Sequence, residues 1–275
     1  MLEALNITVR IDSKLILAEV SVTAAAGEVV AVCGPNGAGK STLLRVLSGE
    51  LEPTSGQVLV EGRPLSSWTP KALATRRALL HQQSPLSFPF RVREVVELGR
   101  FPYTSDERHD DIVSNCLEQV DMLSMASRVY TTLSGGEKQR VQMARVLAQL
   151  MSDDQDHKIL LLDEPTSSLD LPHQDATLAL AAKHAREHNY AVLVVLHDLN
   201  LASNWADRLI FLHEGRLAAQ GSPSEVVTTE VIRSVYNLDS HIIEHPDTKR
   251  PLVLVRRSPS NSAPEPHLNQ MQRSE

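Results

Sequence analysis

Apolar and polar residues alternate at the start of the chain, with Leu5, Ile7 and Val9 and then Val20 and Val22 at the spacing of half-buried β-strands. After a break at Gly27-Glu28, Val29-Val30-Ala31-Val32-Cys33 is continuously apolar, as expected of a strand covered on both faces. A glycine-rich loop follows at once and opens into a helix expected over residues 42–51. Residues 57–62 read as another short strand, and Thr69-Pro70 has the form of an N-cap followed by a first-turn proline, starting a helix through Ala74. From about residue 84 to residue 150 the pattern is mostly helical, with few strand candidates. Fully apolar runs return at Ile159-Leu160-Leu161-Leu162 and at residues 191–196, separated by an alanine-rich helix over 174–188. A third run, Leu209-Ile210-Phe211-Leu212, ends at a Glu214-Gly215 turn. Strands alternating with helices predict an α/β domain built on a doubly wound parallel sheet. Residues 152–157 form an acidic surface loop in this reading, and the segment from Arg256 onward, rich in Ser, Pro and Asn, has the composition of a disordered tail.

Composition narrows the classes. Hydrophobic residues make up 42% of the 275, enough for a substantial core. The longest apolar run falls far short of the roughly 20 residues that span a bilayer. The N-terminus lacks the basic flank and apolar stretch of a signal peptide. A formal charge of −7 opposes a general nucleic-acid binder. Two cysteines, Cys33 and Cys116, cannot build a disulfide framework and suit a reducing compartment. Any membrane association is therefore expected to come through another protein.

Three stretches carry chemistry. Gly34-Pro35-Asn36-Gly37-Ala38-Gly39-Lys40-Ser41 fits the GxxxxGK[ST] phosphate loop, lying between a buried strand and the helix that begins near Thr42. Its glycines let successive N–H groups wrap an anion, and the helix dipole points at the same place. Lys40 would contact the β- and γ-phosphates of ATP, and the Ser41 hydroxyl would ligate Mg²⁺. The 159–162 run ends in Asp163-Glu164; strand alternation makes the two carboxylates diverge, Asp163 towards Mg²⁺ and Glu164 towards an attacking water. Ser134 and Glu137, within Leu133-Ser134-Gly135-Gly136-Glu137-Lys138-Gln139-Arg140, have capping-box spacing. A helix that opens on Gly135-Gly136 also exposes N–H groups to a second anion.

Phosphate loop, then Leu-Ser-Gly-Gly, then a strand ending in Asp-Glu, then a lone His197 is an order that resembles the ABC ATPases, with Glu137 where the commonest signature has Gln. The resemblance covers about residues 2–256. It implies a P-loop core with a parallel sheet, an antiparallel β subdomain and a helical subdomain at about 84–150, one ATP-binding domain over 1–255. It also implies that Gln82, or its neighbour Gln83, is the glutamine that senses Mg²⁺ and passes motion to a permease. Asp170, in Ser168-Leu169-Asp170, would lie at a dimer interface, and His197 would contact the γ-phosphate. Ser134, Gly135, Gly136 and Glu137 of one chain would complete the ATP site of a second copy. The expected assembly is a homodimer beneath two permease subunits on the cytoplasmic face of a bacterial inner membrane. An external binding protein would supply the cargo, and no nucleic acid is involved. The wording of residues 84–100 resembles ATPases of iron-chelate and vitamin B12 importers. The resemblance is closer still to those of hemin importers, through Leu47-Ser48-Gly49-Glu50, the 149–158 loop, residues 196–202 and the ending His245-Pro246-Asp247-Thr248 with Arg250-Pro251-Leu252-Val253, with siderophore or B12 import as the alternative. A soluble ABC ATPase outside transport would typically carry two cassettes or an inserted coiled coil.

One family feature is missing. The stretch Val9-Arg10-Ile11-Asp12-Ser13 holds no aromatic to stack on adenine, leaving Arg10 or Ile11 for that contact. His184 and His188, one helical turn apart, read as a solvated helix face rather than a metal pair, and His241 and His245 lack further ligands in the same way. With aromatics at 4% and no basic interleaving, Trp68, Phe88 and Phe90 read as packing or partner-contact residues, not a base-stacking platform.

Overall fold

The two first strands, β1 (Leu2–Ile11) and β2 (Lys14–Ala24), form an antiparallel hairpin. In this computed structural model, residues 1–82, 86–103, 108–152 and 157–256 are described. Alternation along β1 changes phase: Leu2 and Ala4 are buried, and after a register shift at Asn6 (φ 52°) Ile7 and Val9 are buried. Leu5 is only half-buried, so the inward set is Leu2-Ala4-Ile7-Val9 and not Leu5-Ile7-Val9.

β3 (Val29–Cys33) is buried at all five residues. α1 (Lys40–Leu47) starts two residues earlier and ends four earlier than expected, stopping before Gly49 (φ 75°). β4 (Ser55–Val60) and β5 (Arg63–Pro64) follow, joined by Glu61-Gly62 (φ 53° and 74°), which the sequence pattern had placed inside a strand. In α2 (Pro70–Ala74) the Thr69 hydroxyl accepts from the Ala72 N–H at 3.3 Å, as the capping pattern predicts. β6 (Arg77–Leu80) was not anticipated; it is four residues long and begins on a charged side chain. Three helices come next: α3 (Val92–Glu97), α4 (His109–Gln119) and α5 (Gly135–Leu150). The remainder alternates: β7 (Ile159–Asp163), α6 (Leu171–His188), β8 (Ala191–Val195), α7 (Leu199–Trp205), β9 (Arg208–His213). β10 (Arg216–Gly221), α8 (Pro223–Val226), α9 (Thr229–Tyr236), β11 (Ser240–Glu244) and β12 (Pro251–Val255) complete it.

The central sheet has the order β10-β9-β3-β8-β7-β6, parallel from β9 through β6. β10 is antiparallel because Glu214 and Gly215, at φ 47° and 74°, make a two-residue reversal whose twist suits a hairpin. A second, antiparallel sheet runs β2-β1-β4-β5. Strand alternation divides the core: Val29, Ala31 and Cys33 face a cluster with α3 to α6, while Val30 and Val32 face α1 and the antiparallel sheet. The fold class is thus α/β with the layers expected, one face of the parallel sheet being covered by the second sheet and α1.

Among the described residues no helix is long and apolar enough to cross a membrane. Both cysteines are buried and unpaired, and burial pushes each thiol up to about 12. One expectation fails here. His184 is not on a solvated face: it is buried, its Nε2 lies 2.9 Å from Gln119 Oε1, and its ring stacks near Tyr190, while His188 stays exposed. Trp68 does have basic neighbours, with the Arg63 and Arg76 guanidinium carbons 5.4 and 5.0 Å from its ring centre. Phe88 is exposed and Phe90 packs on the core, as packing or contact residues would. Residues 153–156 of the acidic loop and 257–275 of the tail lie outside the described residues.

Candidate active site

The loop between β3 and α1 is shaped by what it touches. Gly34 has φ 149°, and a Cβ there would lie 2.2 Å from the Leu212 carbonyl oxygen on β9. Gly39 has φ 99°, and its Cβ would meet Leu17 of β2 at 2.6 Å. Only glycine allows the backbone to sit against both strands. Ala38 is buried, its carbonyl accepting from the Gly215 N–H at 3.2 Å, while Asn36 and Gly37 at the tip are exposed and Pro35 and Thr42 are half-buried.

Lys40 is 6% exposed and donates to the carbonyls of Gly34 (2.9 Å) and Pro35 (3.0 Å). Burial holds its ammonium below the usual lysine value, opposed by the charges of Glu164, Cys33 and Asp163. The Ser41 hydroxyl donates to Asp163 Oδ1 at 3.2 Å, from the first turn of α1 to the last residue of β7. Burial raises the Asp163 carboxyl above its ordinary value, with the Ser41 hydrogen bond acting against it. The two carboxylates diverge, though not by strand alternation, since β7 ends at Asp163: Asp163 turns to Ser41, and the left-handed backbone of Glu164 (φ 50°) turns its carboxylate to a different set of partners. Glu164 Oε2 accepts from Gln82 Nε2 at 2.5 Å, and its Oε1 contacts His197 Nε2. Gln82 comes from the segment after β6, and His197 stands between β8 and α7, where Asp198 caps the helix by accepting from Asn200 and Leu201. Gln83 lies outside the described residues.

Ser134 begins α5 with the expected capping box: its hydroxyl accepts from the Glu137 N–H at 3.3 Å, and Glu137 accepts from the Ser134 N–H at 2.7 Å. That backbone hydrogen bond leads the causes that hold the Glu137 carboxyl below its usual range. Gly136 sits close to the turn after β7: a Cβ there would lie 3.1 Å from the Ser168 carbonyl oxygen, tighter than ordinary contact. Gly135 is exposed, and its Cβ would make only ordinary contact with Ser168 at 3.7 Å. Asp170 caps α6, accepting from the His173 N–H at 3.2 Å, and its carboxyl is lowered chiefly by the His173 ring. The structure thus joins Lys40, Ser41, Asp163, Glu164, Gln82 and His197 in one neighbourhood. Among the described residues, no hydrogen bond or ion pair joins residues 134–137 to that group.

The sequence reading missed Gln139. Its Nε2 donates to the Glu164 carbonyl at 3.0 Å and its Oε1 accepts from the Ser168 N–H at 3.1 Å. Its only sequence signal was a place in the run after the paired glycines. The turn at Arg10 to Ser13 is exposed at the tip of the β1–β2 hairpin, with Ile11 40% exposed.

A sequence profile described as ABC transporter matches residues 17–167, more than half of the chain. The chain belongs to the ABC transporter family. This ABC ATPase is 46% identical over 254 residues to a hemin import ATP-binding protein, HmuV, of Vibrio parahaemolyticus, covering 92% of this chain and 97% of that one. A protein of the same name from Gloeobacter violaceus is 48% identical, with 92% and 94% covered. Among solved structures, an inward-facing ABC transporter described as of metal-chelate type superposes with a TM-score of 0.76, at 24% identity, over 93% of this chain and 97% of that one. The ATP-binding cassette MJ0796, as a post-hydrolysis dimer with ADP and Pi, gives 0.70 at 29% identity over 81% and 98%. The cassette fold accounts for the pairing of a parallel with an antiparallel sheet, and the phosphate loop sits where the two meet.

Proposed function

We propose that this ABC ATPase is the energy-coupling subunit of a hemin importer. Two copies work beneath two membrane permease subunits, on the cytoplasmic face of the inner membrane, with an external protein delivering cargo. For hydrolysis, the reading is supported above all by the convergence of Gln82 and His197 on Glu164, beside Asp163 and Ser41. The phosphate-loop N–H groups and Lys40 hold the β- and γ-phosphates, Lys40 exchanging two carbonyl oxygens for phosphate oxygens. Ser41, Asp163 and Gln82 offer oxygen donors of the hard kind that Mg²⁺ takes, and the Ser41–Asp163 contact brings two of them together. Mg²⁺ bound by those residues would supply positive charge against the phosphate oxygens. Glu164 orients the attacking water and accepts its proton, while His197, on the other side of that carboxylate, faces the γ-phosphate. Ser134 and the N–H groups of Gly135 and Gly136 act on the nucleotide of the second copy, with Asp170 at the shared interface.

The cargo rests on the relatives named for hemin import at 46% and 48% identity over nine-tenths of the chain. A strain lacking this chain should fail to grow with hemin as its only iron source, while growth on ferric siderophores and with a vitamin B12 requirement continues. Normal hemin use with loss of siderophore or B12 uptake would reassign the cargo.

A further inference from the structure

The segment that follows β7 carries Glu164 at one end and Asp170 at the other, and two glutamines pin it from opposite helices. Gln174 of α6 donates to the carbonyls of Thr166 (3.3 Å) and Leu169 (3.0 Å). Gln139 of α5 spans the other side with a single amide, donating to the Glu164 carbonyl and accepting from the Ser168 N–H. Those two groups are the ends of one turn, within which the Ser167 N–H reaches the Glu164 carbonyl at 3.3 Å. Glu164 is left-handed at φ 50°, a conformation that is unfavourable for a non-glycine residue and persists only where its surroundings hold it. Gly136, one helical turn before Gln139, lies so close that an added Cβ would press on the Ser168 carbonyl. The start of α5 is thus tied to the backbone of Glu164 through Gln139.

We infer that Gln139 is a positioning residue that makes the hydrolytic setting of Glu164 at one nucleotide depend on the placement of the signature turn at the other. The inference rests on the paired-cassette reading above. In such a pair Ser134 of a chain serves the partner's nucleotide, and Glu164 of the same chain serves its own. Ser134 caps α5, and Gln139 lies five residues further along that helix. Closure of Ser134 on the partner's γ-phosphate fixes the first turns of α5, and the Gln139 amide transmits that placement to the Glu164 carbonyl. Each site then becomes competent when the other is filled, which is positive cooperativity in ATP turnover.

The test is ATP hydrolysis by the full-length chain, alone and with its co-purified permease, for wild type, Gln139→Leu and Gln139→Glu. Leu fills a similar volume and makes neither hydrogen bond. Glu keeps the acceptor for the Ser168 N–H and sets a carboxylate oxygen against the Glu164 carbonyl. Wild type should show a Hill coefficient above one. Both variants should fall to about one, with kcat lowered ~10-fold or more and ATP affinity of the isolated chain held within about two-fold. A purely structural glutamine would lower the thermal midpoint and leave the Hill coefficient of the folded fraction unchanged. That result, or a wild-type Hill coefficient of one, overturns the inference. Sizing the Glu164→Gln chain with Mg-ATP checks the pairing separately: a monomer there defeats the paired reading itself, whereas a dimer with undiminished cooperativity in Gln139→Leu defeats only the role of Gln139.

Discussion

Glu164 and Lys40 are near enough for their charges to interact, yet their substitution should separate binding from turnover. The Glu164 carboxylate is reached by Gln82 and His197, and a glutamine in its place keeps the shape and a carbonyl oxygen for the Gln82 donor. It cannot accept the proton of an attacking water. Glu164→Gln should therefore retain labelled ATP while steady-state hydrolysis drops ~10²–10⁴-fold, the range for loss of a general base. Lys40→Ala removes the buried cation that sits on the Gly34 and Pro35 carbonyls, so it should fail already at equilibrium binding of the nucleotide. Undiminished ATP binding by the Lys40→Ala chain would remove Lys40 from the phosphate site. Most of this neighbourhood was legible in the sequence because a phosphate loop must be contiguous: the N–H groups that wrap one anion are neighbours in the chain. Glu164 was legible from its place at the end of an apolar strand. Gln139 was not, because its role depends on where α5 lies against the turn after β7, and nothing local in Glu-Lys-Gln-Arg encodes that distance.

At the level of elements, the same limit decides which histidine is inside. Helical spacing puts His184 and His188 one turn apart on α6, but period alone does not say which side faces a neighbour. α4 covers His184, through Gln119, whereas His188 remains exposed. Burial, with the charges of His188 and Lys183 adding to it, lowers the His184 imidazole from 6.5 to about 4. It is therefore neutral at ordinary pH, with Nε2–H donating to Gln119 Oε1. Between those two values the unfolded chain binds the proton and the folded chain does not, so stability is present above pH 6.5 and drains away as pH falls towards 4. The full loss is ~3 kcal/mol by linkage. Thermal midpoints measured from about pH 7.5 to about 4.5 should fall more steeply for wild type than for His184→Leu, and parallel curves would refute the burial argument. Strands show the same division between what pattern reveals and what it hides. β3, β7 and β8 are buried on both faces and stood out as unbroken apolar runs. β6, edge strand of the parallel sheet, starts with Arg77 and is only four residues long, so nothing set it apart. β1 keeps a half-buried alternation, but the bulge at Asn6 is backbone geometry that residue pattern does not record.

For the whole molecule, the decisive feature is the separation of Ser134 from the neighbourhood of Lys40 and Glu164. Lys40, Ser41, Asp163, Glu164, Gln82 and His197 stand together, while Ser134 caps α5 in hydrogen bonds of its own. If the paired reading holds, a chain with Lys40→Ala keeps a working signature, and a chain with Ser134→Arg keeps a working phosphate loop. Each homodimer is then broken at both composite sites. A mixed dimer brings one defect to each half of a single site and leaves the other site whole. Random assortment makes half of the dimers mixed, each with one site of two, so independent sites would return about a quarter of wild-type turnover. Coupled sites, as the Gln139 bridge requires, would return less, because the intact site has no filled partner to set its Glu164. The Ser134→Arg chain also loses its N-cap, worth ~1 kcal/mol, so its thermal midpoint must be measured beside its activity to separate unfolding from loss of the trans contact. Recovery of activity on mixing two inactive, folded chains can arise only if the signature of one copy serves the nucleotide of the other. A folded Ser134→Arg homodimer with wild-type turnover would instead confine each ATP to a single copy.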